Sequence, residues 1–200
     1  MNQITPLLPT LRLAMVITGW TAFAVIFMLR KAPGTTEAQK RDTVSIVGII
    51  LQAIAFALVW SQRRPFIAPT SGSGLMSAIL LDLVILLLLV GSIWFVTKAV
   101  KTLGKQWSLA AKLVKQHQLV VQGPYGLVRH PIYAGMLGMF MATGLALSDW
   151  WAIGTGLVLF VVGTMIRIRV EEKLLRTAFG NKYDEYAAKV PALLPLRWRA

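Results

Sequence analysis

The chain has no cysteine among its 200 residues, which excludes disulfides, thiolate nucleophiles and cysteine-ligated metals. It also carries little charge. Asp, Glu, Lys and Arg together make up 14%, against ~25% in ordinary soluble domains. Acids are the scarcest: eight stand against twenty-one lysines and arginines, for a net charge of +13. Features of a cleavable signal are missing too. No basic stretch precedes the first apolar run and no small-residue cleavage site follows it, so that run is expected to be a retained helix.

Apolar residues are abundant instead, at 56% of the chain with a mean hydropathy of +0.64. A nucleic-acid binder can be as basic, but it does not usually contain several long uncharged apolar runs. Basic charge between such runs points to a cytoplasmic membrane surface. Five runs stand out: Leu13–Leu29, Val44–Trp60, Leu75–Val96, Ile132–Leu147 and Trp150–Ile166. At 1.5 Å per residue they approach or exceed the ~30 Å of a hydrocarbon core, the last two only just. Those two are joined by Ser148-Asp149 alone, which predicts an antiparallel helical hairpin. The expected fold is an all-α integral membrane protein of five transmembrane helices. Residues 1–97 hold three of them, and 98–200 hold a long polar loop, the hairpin and a C-terminal helix, in one integrated domain.

Lysine and arginine set the expected orientation. If the loop at 30–42, the segment at 98–130 and everything after 166 share one side, that side holds 18 of the 21 basic residues. Only Arg12, Arg63 and Arg64 remain opposite. The positive-inside rule then puts the N-terminus outside and the C-terminus in the cytoplasm.

Two segments on the basic side could carry chemistry. The first runs from Gly123-Pro124-Tyr125 through Arg129-His130-Pro131-Ile132-Tyr133 to Gly135. Gly-Pro forces a turn, and Pro131 suits the first position of a helix, whose open amides and neighbouring Arg129 favour an anionic group. A plainer reading is a basic residue and a His flanking a membrane helix. The second segment is Arg167-Ile168-Arg169-Val170-Glu171-Glu172, in which Arg167 and Glu171 lie four apart and can share a helix face. The hairpin returns this second segment to the level of His130 and Tyr133. Phe179-Gly180, Tyr183 and Tyr186 read as a helix stop and an aromatic packing face. Glycines at 135, 138, 144, 154, 156 and 163 read as close-packing positions. Asp82, an acid inside the third run, is a functional candidate by its depth, but it lies toward the outer end, where a paired structural acid is expected.

With these residues in view, the chain resembles the isoprenylcysteine carboxyl methyltransferase family and its prokaryotic relatives over roughly residues 104–196. The likeness rests on His117-Gln118-Leu119-Val120, Gly123 with Tyr125, Arg129-His130-Pro131-Ile132-Tyr133 with Gly135, Arg167, Glu171-Glu172, Phe179-Gly180, Tyr183, Tyr186 and Val190-Pro191. It implies a methyltransferase in the inner (plasma) membrane of a prokaryote, with S-adenosyl-L-methionine as cofactor, a cytoplasmic cofactor-binding loop and a lipophilic or lipid-linked substrate. Carried over by position, His117, Gln118, Leu119, Val120, Tyr125, Arg129, His130, Pro131, Ile132 and Tyr133 would line the cofactor pocket. Glu171 and Glu172 would meet the cofactor's amino group or ribose, and Arg167 would face the methyl acceptor. Eukaryotic members have a longer acidic run where this chain has two glutamates, which leaves the register of the Arg–Glu pair open by a turn. Phospholipid amines and small thiols remain alternative acceptors. Sterol-reductase-like proteins, which bind NADPH, share a similar His-Pro-x-Tyr helix start.

Overall fold

A computed structural model describes residues 7–29, 43–64, 72–104 and 119–195. It contains six α-helices: α1 (Leu7–Met28), α2 (Thr43–Ser61), α3 (Gly72–Leu103), α4 (Pro131–Leu147), α5 (Trp150–Phe179) and α6 (Asn181–Lys189). A short 3-10 turn at Gly123–Gly126 precedes α4. No strand occurs among the described residues; a lone β-bridge joins Arg63 to Ser148.

Helices α1, α2, α3 and α5 are each long and apolar enough to cross a membrane. Helix α4 has 17 residues, about 26 Å at the α-helical rise, the lower limit for a span. Two helices run past their apolar stretches. α3 passes Val96 and takes in Lys98 and Lys101 before ending at Leu103. α5 continues without a break from the apolar run through Arg167, Glu171 and Glu172. It stops at Gly180, whose φ of +51° is a conformation that L side chains resist. At 32 and 30 residues, these helices are ~45–48 Å long and outreach a ~30 Å core.

Paired contacts give the helix directions. Along α4 and α5, Gly144 meets Ile153, Phe140 meets Phe160 and Tyr133 meets Glu171, so the two are antiparallel. The expected hairpin is therefore present, although α4 packs more extensively on α3, and α5 on α2, than the two do on each other. Small residues allow the close crossings. A Cβ on Gly163 would lie 2.7 Å from the carbonyl oxygen of Gly48, and one on Gly48 would lie 2.6 Å from that of Gly163. In lipid, where burying apolar surface gives helices no advantage over contact with acyl chains, such fit and interhelical hydrogen bonds hold the bundle. Phe140 stacks on Phe160 at 5.4 Å, with Phe56 edge-on to both. Trp20 donates to Thr143 Oγ1 at 3.0 Å. The opposite face of α3, with Leu80, Leu83, Leu87, Val90 and Trp94, is exposed as a lipid-facing helix requires.

At the end of the bundle near Ser148, α2 is knitted to the α4–α5 link. The Arg64 amide donates to the Leu147 carbonyl at 3.0 Å, the Asp149 amide to Gln62 at 3.1 Å, and the Ser148 hydroxyl to the Val59 carbonyl. Asp82 is paired: Arg12 Nε lies 2.5 Å from its carboxylate. A structural acid is what this geometry gives.

Candidate active site

At the opposite end of the bundle, the start of α4 and the polar third of α5 meet. Pro131 opens α4 with His130 in the capping position, which aims the His130 and Tyr133 side chains at α5. There Glu171 and Glu172, adjacent in sequence, are separated by a 100° step around the helix. Each therefore takes a different set of partners. Glu171 accepts the Tyr133 hydroxyl on one carboxylate oxygen and faces His130 Nδ1 at 3.4 Å with the other. Glu172, 7% exposed, accepts Arg129 Nε at 3.0 Å and Nη2 at 2.7 Å. It also faces His130 Nε2 at 3.4 Å, and Arg176 at 3.4 Å from the next turn.

His130 thus has a carboxylate at each ring nitrogen. Burial by itself would push its pKa down, but the hydrogen bonds to Glu171 and Glu172, and their charges, outweigh it and hold the imidazole above its ordinary value. The two carboxylates favour the charged form of the imidazole.

The remaining donors of Arg129 go to the chain beyond α6. Its Nη1 donates to the carbonyls of Ala187, at 3.0 Å, and Val190. The backbone adds two bonds: the amides of Arg129 and His130 donate to Pro191 and Ala192, both at 2.9 Å. Arg129, expected at a cofactor's anionic group, has its guanidinium taken up by the protein itself.

Beside this cluster lies a small, partly open cleft of about 70 Å³, lined by Leu103, Leu119, Val120, Tyr125, Arg129, Leu175, Tyr183 and Tyr186. Its three phenols stay neutral. Burial pushes Tyr125 and Tyr183 well up, and Tyr186 up to about 12. The Tyr186 hydroxyl donates to the Tyr125 carbonyl at 2.6 Å, tying α6 to the 3-10 turn. Tyr183, with no solvent exposure, anchors α6. Both tyrosines, read from sequence as surface packing, are walls of the cleft, and their spacing of three on an amphipathic helix was the available signal.

Arg167 lies four residues before Glu171 on the unbroken helix α5, and both meet Tyr133. No direct ion pair joins the two among the described residues. The Arg167 guanidinium lies 5.0 Å from the centre of the Tyr133 ring and donates to Gln52 Oε1 at 3.1 Å. Gln52 on α2 escaped the sequence reading; a glutamine inside an apolar helix was the cue. Pro131 is buried and Ile132 half-buried in the first turn of α4. His117 and Gln118 lie outside the described residues.

The sequence pattern of the phospholipid methyltransferase family matches residues 82–182. The chain belongs to that family. Among curated proteins it is similar to the protein-S-isoprenylcysteine O-methyltransferase of Schizosaccharomyces pombe, 37% identical over 90 residues, covering 44% of this chain and 37% of the relative. A probable enzyme of the same name from Oryza sativa subsp. indica is 35% identical over 111 residues, 48% of this chain and 52% of the relative. That of Saccharomyces cerevisiae is 39% identical over 113 residues, 50% and 42% respectively. The chain thus spans about half or less of these relatives' length. The resemblance to isoprenylcysteine carboxyl methyltransferases read from the motifs is borne out. The family match begins at Asp82 in α3 and ends at Lys182, and so takes in most of α3, α4, α5 and the cleft lining except Tyr183 and Tyr186.

Proposed function

We propose that this protein is an integral membrane methyltransferase that uses S-adenosyl-L-methionine on a lipid-like or lipid-linked acceptor ending in a carboxylate. The observation that carries the reading is the aromatic-walled cleft set against the Glu171–Glu172 pair at one end of an apolar bundle. Its lining suits a ligand that is part flat ring and part charged chain. Leu119, Val120 and Tyr125, with Ile132 and Tyr133 at the helix start, would hold the cofactor, and His117 and Gln118 would extend that lining. Glu171 and Glu172 would meet its amino group or ribose. When bound, the cofactor would supply an electrophilic methyl on its sulfonium.

The chain's own residues do the rest. His130, Tyr133 and Arg129 fix the two carboxylates before any ligand arrives, so no reorganisation is needed on binding. Arg167, on the membrane side of Glu171, holds the acceptor's charged end while its lipid tail lies among the helices. Positioning of this kind can account for much of a methyl transfer, which needs its nucleophile in line. A carboxylate acceptor needs no general base. An amine or thiol would need one, and His130 is a poor choice, since both its nitrogens donate to carboxylates in the protonated form. The basic side is taken as cytoplasmic, with α4 crossing as the fifth span.

Calorimetric titration of the detergent-purified protein with S-adenosylhomocysteine, alongside NADPH, tests the proposal. We expect saturable binding of the first alone, weakened at least tenfold in Glu171→Ala, consistent with loss of a charge-assisted hydrogen bond. Binding of NADPH alone would move the protein to the reductases. Binding of neither by folded protein would remove the enzymatic reading.

A further inference from the structure

Helix α2 carries a glutamine in the middle of an apolar stretch, 3% exposed. Both ends of its amide are committed. Gln52 Nε2 donates to Thr164 Oγ1 at 2.8 Å, and Oε1 accepts from Arg167 Nη1 at 3.1 Å. Turned over, the amide would set its NH2 against a guanidinium that can only donate, so the bond pattern fixes its orientation. Gly48, one turn earlier on α2, completes the seat. A Cβ there would lie 2.6 Å from Arg167 Cγ, so only glycine lets the arginine stem lie flat against α2. The Tyr133 ring covers the guanidinium from another side.

This seat holds Arg167 firmly but leaves most of its bonding capacity unused. A guanidinium has five N–H donors. Among the described residues Arg167 spends one, on Gln52, and its Nε is buried without a partner. A mostly unspent cation between helices is unfavourable in apolar surroundings. An anionic group reaching it relieves that cost, and a carboxylate matches the guanidinium fork in shape as well as charge.

We propose that Gln52 is a positioning residue: it aims Arg167 at the carboxylate of the methyl acceptor and thereby sets the preference for anionic acceptors. This rests on the methyltransferase reading above. It also gives α2, which lies outside the family match, a part in acceptor choice. Gln52 itself makes and breaks no covalent bond.

The test uses protein saturated with S-adenosylhomocysteine and two probes, an N-acetylated S-farnesyl cysteine with a free carboxylate and its carboxamide. Wild type should bind the carboxylate more tightly than the amide. Gln52→Leu should weaken the carboxylate about tenfold, the scale of a hydrogen bond to a charged group, while the amide and S-adenosylhomocysteine affinities stay unchanged. On an Arg167→Ala background the same substitution should have no further effect. Equal loss for both probes, or an undiminished effect without Arg167, would overturn the proposal by making Gln52 merely structural. So would the absence of a carboxylate preference in wild type that binds S-adenosylhomocysteine. Failure of wild type to bind S-adenosylhomocysteine at all would instead remove the underlying methyltransferase reading.

Discussion

His130 illustrates how far neighbours can override burial. Buried alone, it would be a neutral imidazole; between Glu171 and Glu172 its pKa lies above the ordinary value. The linkage has a definite sign. A group whose folded pKa exceeds its unfolded value adds stability that is complete below the unfolded pKa, about 6.5 for His. That stability is lost as pH rises through the raised folded value. The gap in thermal stability between wild type and His130→Gln should therefore be widest in mild acid and close as pH climbs. Unfolding curves in detergent across this range would check it, and a gap that stays constant would mean that folding leaves the His130 pKa unshifted. Sequence alone pointed to His130, Tyr133, Glu171 and Glu172 because polar side chains at the mouth of an apolar hairpin are few. It could not assign partners. Which glutamate takes Arg129 depends on a 100° helical step, and the partner of Arg167 lies 115 residues away on α2.

Among the elements, α2 and α5 cross with backbone against backbone at Gly48 and Gly163. A methyl group at Gly163 would meet the backbone oxygen of Gly48 at 2.7 Å and Leu51 Cβ at 3.0 Å. A backbone atom cannot swing aside, so the helices must separate. Gly163→Ala should cost about 1–3 kcal/mol, as overpacking does. At Gly154, on the exposed side of the same helix, an added Cβ meets no described atom within 4 Å. Gly154→Ala should be neutral or stabilising by ~0.5–1 kcal/mol through helix propensity. Thermal melts of the two variants in one detergent give the comparison; equal melting temperatures would refute the crossing. Apolar runs marked the helix positions well, because lipid demands unbroken hydrophobicity. The helix ends were harder. α3 and α5 continue through lysines, arginines and glutamates, since a helix leaving the membrane keeps its backbone bonds in water and nothing in composition tells it to stop.

For the whole molecule, basic charge and the candidate site fall at the same end. The cleft, the glutamate pair and the overhanging ends of α3 and α5 share the basic side, while the knitted link at Ser148 closes the other. The proposed orientation is open to a clean test, because the chain has no cysteine of its own. Ser61→Cys, exposed where α2 ends near that link, should react with a membrane-impermeant maleimide on intact cells. Lys182→Cys, exposed on α6, should react only after permeabilisation. The reverse pattern would invert the protein.

The bonds from Arg129 to the chain beyond α6 also impose a timetable. Its acceptor at Val190 follows by 61 residues, which takes roughly 3–12 s to synthesise at about 5–20 residues per second. In that interval α4 and α5 can enter the bilayer, but the last partners that hold Arg129 in place are still being made. The pocket is therefore among the final parts of the protein to mature. A chain halted between Leu147 and Val190 would be inserted in the membrane, basic at its surface and without the contacts that hold Arg129.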